Sequence, residues 1–142
     1  MKNLLVLAAL VVAPALIAAA PVRAADLTLD LATTAPGGRI AVALYGDAAS
    51  LRRGQGAVRT LRVERTGATT RTVITGLPPG RYAVATFHDR DGNGALTLWP
   101  IGLPKEAYGF SNEARGRFGP PGFAAAAFDL PAGGARQAIR LR

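Results

Sequence analysis

The chain has 142 residues, with 17 Lys or Arg against nine Asp or Glu, which gives a formal net charge of +8 at pH 7. It contains no cysteine, so disulfide bonds, thiol chemistry and thiolate metal sites are excluded. The basic residues are scattered, without a stripe of interleaved aromatic residues, and this distribution argues against a nucleic-acid partner.

The first 24 residues predict a signal peptide. Lys2 precedes the apolar run Leu4–Ala20, and Val22 and Ala24 occupy the positions that a signal peptidase reads. We therefore expect cleavage after Ala24, which leaves a single domain over residues 25–142 with no transmembrane segment. The alternative is a retained membrane anchor, because the apolar run is close to the shortest that spans a bilayer.

Seven short segments of the mature chain have the apolar alternation or β-branched content of strands. They are Asp26–Thr33, Ile40–Gly46, Val58–Glu64, Thr69–Gly76, Gly80–Asp89, Phe123–Leu130 and Ala135–Arg142. Strands of this length separated by turns predict an all-β fold. We expect a seven-stranded antiparallel β-sandwich, immunoglobulin-like or transthyretin-like, with one long ordered loop.

Three of these segments carry more detailed predictions. Val58–Glu64 and Thr69–Gly76 flank a short turn at Thr66 and Gly67, which predicts a hairpin with one wet face. Gly80–Asp89 is apolar or small on both faces and should be the central strand.

Two segments are ambiguous between helix and strand. Phe123–Leu130 is rich in Ala, but its length and the flanking Pro121 and Pro131 favour a strand. Residues 47–57 lack periodicity and predict an exposed loop with one helical turn.

The segment from Asp89 to Pro121 is too long for an ordinary connection and too apolar for disorder. It contains the single tryptophan, Trp99, together with several Leu, Ile, Tyr and Phe residues. We expect it to be ordered and folded over one end or edge of the sandwich.

The stretch HDRDGNGAL at the start of this loop resembles a calcium loop. Asp89, Asp91 and Asn93 fall at the first, third and fifth ligand positions, and Gly94 falls at the sharp turn. Short oxygen-bearing side chains at alternate positions can converge on one hard cation. The spacing therefore predicts a calcium site formed by these three residues.

The remaining ligand positions depart from that pattern. Thr97 and Pro100 stand where a ninth-position ligand and a bidentate Glu belong, and Glu106 is the nearest later carboxylate that could fold back. The alternative is a metal-free connection in which Asx turns occupy the side-chain oxygens and Gly92 and Gly94 supply positive φ.

A hydrolase is the main alternative to a binding function. Ser111, His88 and Asp89 contain the groups of a catalytic triad, and Asp89 with Glu106 could act as acid and base. However, neighbouring residues of a strand project to opposite faces, so Asp89 is poorly placed to orient His88. A His at a strand end that hydrogen-bonds within the loop is the simpler interpretation.

The later part of the loop, YGFSNEARGRFGPPGF, mixes aromatic, amide and guanidinium groups as ligand-binding surfaces do. The candidate contact residues are Tyr108, Phe110, Asn112 and Arg115. Alternatively, the aromatic residues, including Phe118, anchor the loop by packing into the sandwich.

Two motifs, HDRDGNGAL and GLPKEAYGFSNEARGRFGPPGF, make the mature chain closely resemble a family of exported bacterial proteins, domain of unknown function 2141. The resemblance implies a small periplasmic or secreted β-sandwich and supplies no activity. Members typically continue the first motif with L-D-x-N, whereas this chain has Thr97, Leu98 and Trp99 after Leu96. If the family loop binds calcium, the resemblance implies weak or absent binding here.

We therefore predict a non-enzymatic exported module that binds an envelope ligand or protein through the loop at residues 89–121, with weak calcium binding. The first alternative is the hydrolase. The second is a structural envelope protein whose Arg-rich surface associates with anionic lipid head groups.

Overall fold

The computed structural model of the protein describes residues 23–142. The predicted signal peptide, residues 1–24, lies outside the described residues except for its last two positions. Within residues 23–142, no helix has the length and apolar character needed to cross a bilayer.

The described residues form eight strands and two short helices. The strands are β1 (Ala25–Ala32), β2 (Arg39–Tyr45), β3 (Arg59–Glu64), β4 (Thr69–Leu77), β5 (Gly80–Asp89), β6 (Tyr108–Phe110), β7 (Phe128–Leu130) and β8 (Ala135–Arg140). The helices are α1 (Ala48–Arg53) and α2 (Phe123–Ala126), and a single 3-10 turn covers Ser111–Glu113.

These strands form two sheets packed face to face, so the predicted all-β sandwich is confirmed. One sheet has the order β4-β1-β8, and the other has the order β3-β2-β5-β6, with β7 paired to the beginning of β5. β5 contacts β2, β6 and β7, as predicted for a central strand. All pairs are antiparallel except β1 with β8, which are parallel.

The core lies between the sheets and follows from the alternation of the strands. Leu27, Leu29 and Leu31 of β1 are fully buried and face Ile40 and Leu44 of β2 across the sandwich. Alternate residues of a strand point to opposite faces, so the intervening residues lie on the outer surfaces. The predicted apolar alternation of β1 and β2 is thereby confirmed.

The predicted hairpin of β3 and β4 is wrong, because these strands belong to different sheets. β3 pairs with β2, whereas β4 pairs with β1. The segment that connects β3 to β4 passes from one sheet to the other. Two hydrogen bonds fix it: the Thr66 N–H donates to Thr70 Oγ1, and Ala68 O accepts from the Thr33 N–H. These bonds replace the tight turn that a hairpin would require.

The predicted strand Phe123–Leu130 is correct only in its second half. Phe123–Ala126 is one helical turn, closed by the Ala127 N–H donating to Phe123 O, and β7 covers Phe128–Leu130. Alanine favours helix over strand, and Ala126 is buried at the contact with α1. The single helical turn expected within residues 47–57 is confirmed by α1.

The long loop contains β6, the eighth strand, which the sequence did not indicate. β6 adds to the edge of β5, and Tyr108 exchanges two 3.0 Å backbone hydrogen bonds with Arg142. A Cβ at Gly109 would lie 2.7 Å from Arg140 O, so only glycine allows this close approach. The loop is thus attached to the edges of both sheets.

Candidate functional site

The outer face of the β3-β2-β5-β6 sheet is half covered. Over one half, α1 and α2 form a second small core in which Tyr45, Leu51, Ala83 and Ala126 are buried. The other half carries no helix, and this half forms an open groove.

The groove has a volume of about 770 Å³. Its floor consists of small residues that face outward from the central strands, namely Ala41, Ala43 and Ala85. Its aromatic walls are Phe87, Tyr108 and Phe110, with Leu96 of the long loop also in the lining. The small floor residues create the depression, because larger side chains at these positions would fill it.

Arg62 is the one charged residue among the described residues that line the groove. Its Nη2 donates to Gly94 O at 3.5 Å, so it connects β3 to the long loop. Gly94 has a φ of +77°, and an added Cβ would collide with the Arg62 guanidinium. Glycine at this position therefore allows the arginine to lie against the loop.

Tyr45 contributes a phenol to the groove lining. Burial raises the pKa of the Tyr45 phenol above its usual range. The phenol therefore stays protonated at physiological pH and can donate a hydrogen bond.

The four predicted contact residues are divided among different places. Tyr108 and Phe110 line the groove in an edge-to-face pair with centroids 6.1 Å apart. Asn112 instead donates from Nδ2 to Ala127 O at 2.8 Å, which ties the loop to the end of α2. Arg115 lines a separate small cavity of about 40 Å³.

The alternative role of the aromatic residues, anchoring, applies to some of them. Phe110 and Phe123 pack against the second core. By contrast, Phe118 is fully exposed, and the loop tip exposes Trp99 and Ile101 by 53% and 78%. Part of the apolar content of the loop therefore lies on the surface.

A cluster of three carboxylates lies at the end of β5, where the long loop begins. Asp89, Asp91 and Glu106 each present an oxygen, and the three oxygens lie within 4.8 Å of one another. Asp89 and Glu106 are buried, with 1% and 8% of their surfaces exposed. By alternation, the Asp89 side chain shares the outward face of β5 with Ala85 and Phe87, which places the cluster beside the groove.

Glu106 folds back onto the start of the loop. Its Oε1 accepts from the Arg90 N–H at 2.9 Å, and its Oε2 accepts from the Thr97 N–H at 3.1 Å. These bonds fix the carboxylate beside Asp89, although 17 positions separate the two residues in the chain.

The loop also contains the predicted Asx turns. Asp91 Oδ1 accepts from the Asn93 N–H at 3.0 Å, and Asn93 Oδ1 accepts from the Ala95 N–H at 2.8 Å. Gly92 and Gly94 have the expected positive φ. The amide oxygen of Asn93 is thus turned to the backbone, while its Nδ2 donates to Asp91 Oδ2.

Asp89 is satisfied on one oxygen only. Its Oδ2 accepts from the Gly94 N–H at 3.0 Å. Its Oδ1 is buried and has no hydrogen-bond partner among the described residues. A buried carboxylate oxygen without a partner is rare and costly, so it indicates an interaction with another group.

The structure does not assemble the triad that the hydrolase alternative would require. The buried Ser111 Oγ donates to Ala126 O at 2.5 Å and accepts from the Val84 N–H at 2.9 Å. The buried His88 donates from Nε2 to Gly37 O at 2.6 Å, and its Nδ1 lies 3.3 Å from Thr33 Oγ1. These contacts join segments of the fold. The histidine bonds to the segment before β2 and not within its own loop.

The fold and the site together define a class: a small β-sandwich with an open groove on one sheet. A model of the family described as "Uncharacterized protein conserved in bacteria (DUF2141)" matches residues 33–139, and the chain belongs to this family. Comparison with curated proteins and with solved structures gave no match.

The sequence did not identify Arg62 or the three alanines of the floor as parts of a groove. The available signal was the strand IAVALYG, in which Ala41 and Ala43 form a face of small residues opposite the core face. Small residues facing outward on a central strand indicate a depression only if the neighbouring strands carry larger side chains. That condition depends on the pairing of β2 with β3 and β5.

Proposed function

We propose that this protein is an exported binding module whose groove takes an anionic amphiphile, such as a long-chain carboxylate. The observation that supports the proposal best is the combination of an apolar floor and walls with a single charged group, Arg62, in the lining. Apolar clefts with a few placed polar groups are the usual form of small-molecule sites, and about 770 Å³ lies within their size range.

The chemistry of the lining selects among ligands. The alanine floor and the rings of Tyr108 and Phe110 favour an apolar chain or ring. The Arg62 guanidinium offers paired donors to a carboxylate or phosphate. The other polar side chains of the lining, Tyr45, Gln55, Thr60, Thr86 and Tyr108, are uncharged, so Arg62 is the group that selects for an anion.

Export and a positively charged surface support the same proposal. The signal-peptide pattern before Ala25 supports export to the periplasm or to the outside of the cell. Its net positive charge attracts anions and anionic head groups to the surface. The ligand is thus either a free amphiphile or one still held in a membrane.

Fluorescence titration with anilinonaphthalene sulfonate tests the groove directly. We expect saturable binding that dodecanoate displaces and that dodecyl maltoside, which has an uncharged head group, displaces at least about tenfold more weakly. Cosedimentation with phosphatidylglycerol vesicles, compared with dodecanoate binding in solution, distinguishes a membrane source from a free ligand.

Two variants locate the bound probe. Ala41→Phe should fill the floor and weaken dodecanoate binding by about tenfold or more. Ala138→Phe is the matched control, because Ala138 is exposed on β8 in the other sheet, and it should bind as the parent does. Arg62→Gln should weaken the binding of dodecanoate but not that of dodecyl maltoside.

Equal binding by the Ala41→Phe and Ala138→Phe proteins would overturn the proposal, since the probe would then lie elsewhere. An unchanged affinity of the Arg62→Gln protein for dodecanoate would overturn the assignment of an anionic ligand.

A further inference from the structure

The carboxylate cluster lies outside the groove lining and has its own chemistry. The three oxygens of Asp89, Asp91 and Glu106 lie within 4.8 Å of one another. The side-chain ion pairs within residues 23–142 involve Asp30, Glu64 and Glu113 and none of these three residues. Three neighbouring carboxylates, two of them buried, therefore have no ion-pair partner in the part of the chain that the structure describes.

A second observation points to a ligand independently of this clustering. Asp89 is 99% buried, and its Oδ1 has no donor within hydrogen-bonding distance among the described residues. Its other oxygen is fixed by the Gly94 N–H, so the carboxylate is held in one orientation. A buried, oriented and unsatisfied acceptor is what a cation site provides.

We infer that Asp89, Asp91 and Glu106 bind a single calcium ion at the exit of β5. Calcium binds oxygen ligands at about 2.3–2.6 Å, so two ligands on opposite sides of one ion lie up to roughly 5 Å apart. The three oxygens lie within 4.8 Å of one another, which satisfies that limit. The exposed Asp91 leaves one side of the site open to water ligands.

This ligand set differs from the one that the sequence spacing predicts. Glu106 takes part, brought back by its bonds to the Arg90 and Thr97 N–H groups. Glu106 supplies a third carboxylate in place of the ligands that are missing at Thr97 and Pro100. Asn93 orients Asp91 through its Nδ2 and does not offer its own oxygen, which accepts from the Ala95 N–H.

Calorimetric titration of residues 25–142 with calcium chloride tests the site. We expect one ion per chain with a dissociation constant in the range of extracellular calcium modules, about 10⁻⁴–10⁻³ M. Magnesium should bind at least about tenfold more weakly, because it requires near-octahedral geometry and keeps its own water. Calcium should also raise the midpoint of thermal unfolding.

Three variants make the test specific. Asp89→Asn and Asp91→Asn should each weaken calcium binding at least about tenfold. Asp91 is exposed, so its variant preserves the fold even if that of the buried Asp89 does not. Asp129→Asn is the matched control, since Asp129 is an exposed residue of β7 outside the cluster.

The contrary outcomes are equally definite. A calcium concentration of about 10 mM is well above the dissociation constants of extracellular calcium modules. Absence of binding heat and of a rise in the unfolding midpoint at this concentration would overturn the inference. Equal binding by the Asp91→Asn and Asp129→Asn proteins would show a non-specific effect and would also overturn it. Equal affinity for magnesium would overturn the assignment to calcium. None of these results depends on the ligand of the groove.

Discussion

Two buried aspartates of this protein have neighbours of opposite charge. Asp30 of β1 is 8% exposed and lies between two arginines: Arg71 Nε donates to its Oδ1 at 2.7 Å, and Arg136 Nε donates to its Oδ2. Asp89 of β5 is 1% exposed, with two further carboxylates as neighbours and no arginine bonded to it.

The difference is informative because arginine is abundant in this chain. At Asp30, which lies within a sheet, arginines of the two neighbouring strands neutralise the carboxylate. The Asp30 pKa is correspondingly held below its usual range, chiefly by the hydrogen bond from Arg136 and then by that from Arg71. Asp89 has no such arginine partner, and this difference is the basis for proposing a cation site there.

The largest effect on stability is expected at Asp30. Asp30→Asn removes the charge that two arginines share, so the midpoint of thermal unfolding at neutral pH should fall by several degrees. Because the folded-state pKa is lowered, the stabilisation by Asp30 is present above the usual pKa of an aspartate. It is lost as pH falls through the folded-state value.

A pH series of thermal unfolding, followed by circular dichroism, checks this prediction. The parent and the Asp30→Asn protein should differ most at neutral pH and converge in acid. A constant difference at all pH values would mean that the variant acts through packing instead of charge.

The second prediction concerns calcium. It gives Asp89 a neighbouring positive side chain, as Asp30 already has. Thr97 lies beside the cluster, with its Oγ1 donating to Asp91 Oδ2 at 3.2 Å. Thr97→Lys should place an ammonium group there and abolish the rise in unfolding midpoint that calcium produces. Thr97→Val has a similar shape without the charge and should retain most of that rise. Loss of the calcium response in both proteins would point to the lost hydroxyl.

A smaller effect, opposite in sign to that of Asp30→Asn, is expected for Asp89→Asn in the presence of a chelator. Two like charges no more than 4.8 Å apart repel by at least roughly 3 kcal/mol at an effective dielectric constant of about 20. Relief of part of this repulsion should raise the free energy of unfolding by about 1 kcal/mol. Urea unfolding in EDTA measures it, and a clear fall would show that Asp89 is chiefly structural.

The smallest effect is expected at the exposed ion pair of Arg39 with Glu64. Their side chains are 56% and 69% exposed. Glu64→Gln should change the free energy of unfolding by less than about 1 kcal/mol, because water and salt screen such pairs. Urea unfolding at low and high salt provides the measurement. A larger loss would remove the contrast between this pair and the buried Asp30.

The sequence predicted those parts of the fold that depend on local periodicity. Alternation in β1 and β2 identified these strands and their core faces, and the apolar or small residues on both faces of β5 identified the central strand. The partners of β3 and β4 could not be predicted, because each carries apolar residues that suit either sheet. β6 has only three residues, too few for a period, and its pairing depends on the close approach at Gly109.

The candidate sites show the same limit. Asp89 and Asp91 were identified from their spacing, since neighbouring ligands share one turn. Glu106 became part of the cluster only through long-range bonds to the Arg90 and Thr97 backbone. Arg62 reaches the loop from a different strand, so no sequence pattern could have associated it with Gly94.

Gly94 is bonded on both sides of its backbone. Its N–H donates to Asp89 Oδ2, and its carbonyl accepts from Arg62 Nη2. A cation at the cluster and an anion at Arg62 would therefore act on the same residue from opposite directions. If one ligand changes the affinity of the other, thermodynamic reciprocity requires the same factor in both directions. Gly94 is thus the residue through which the groove lining and the carboxylate cluster are joined.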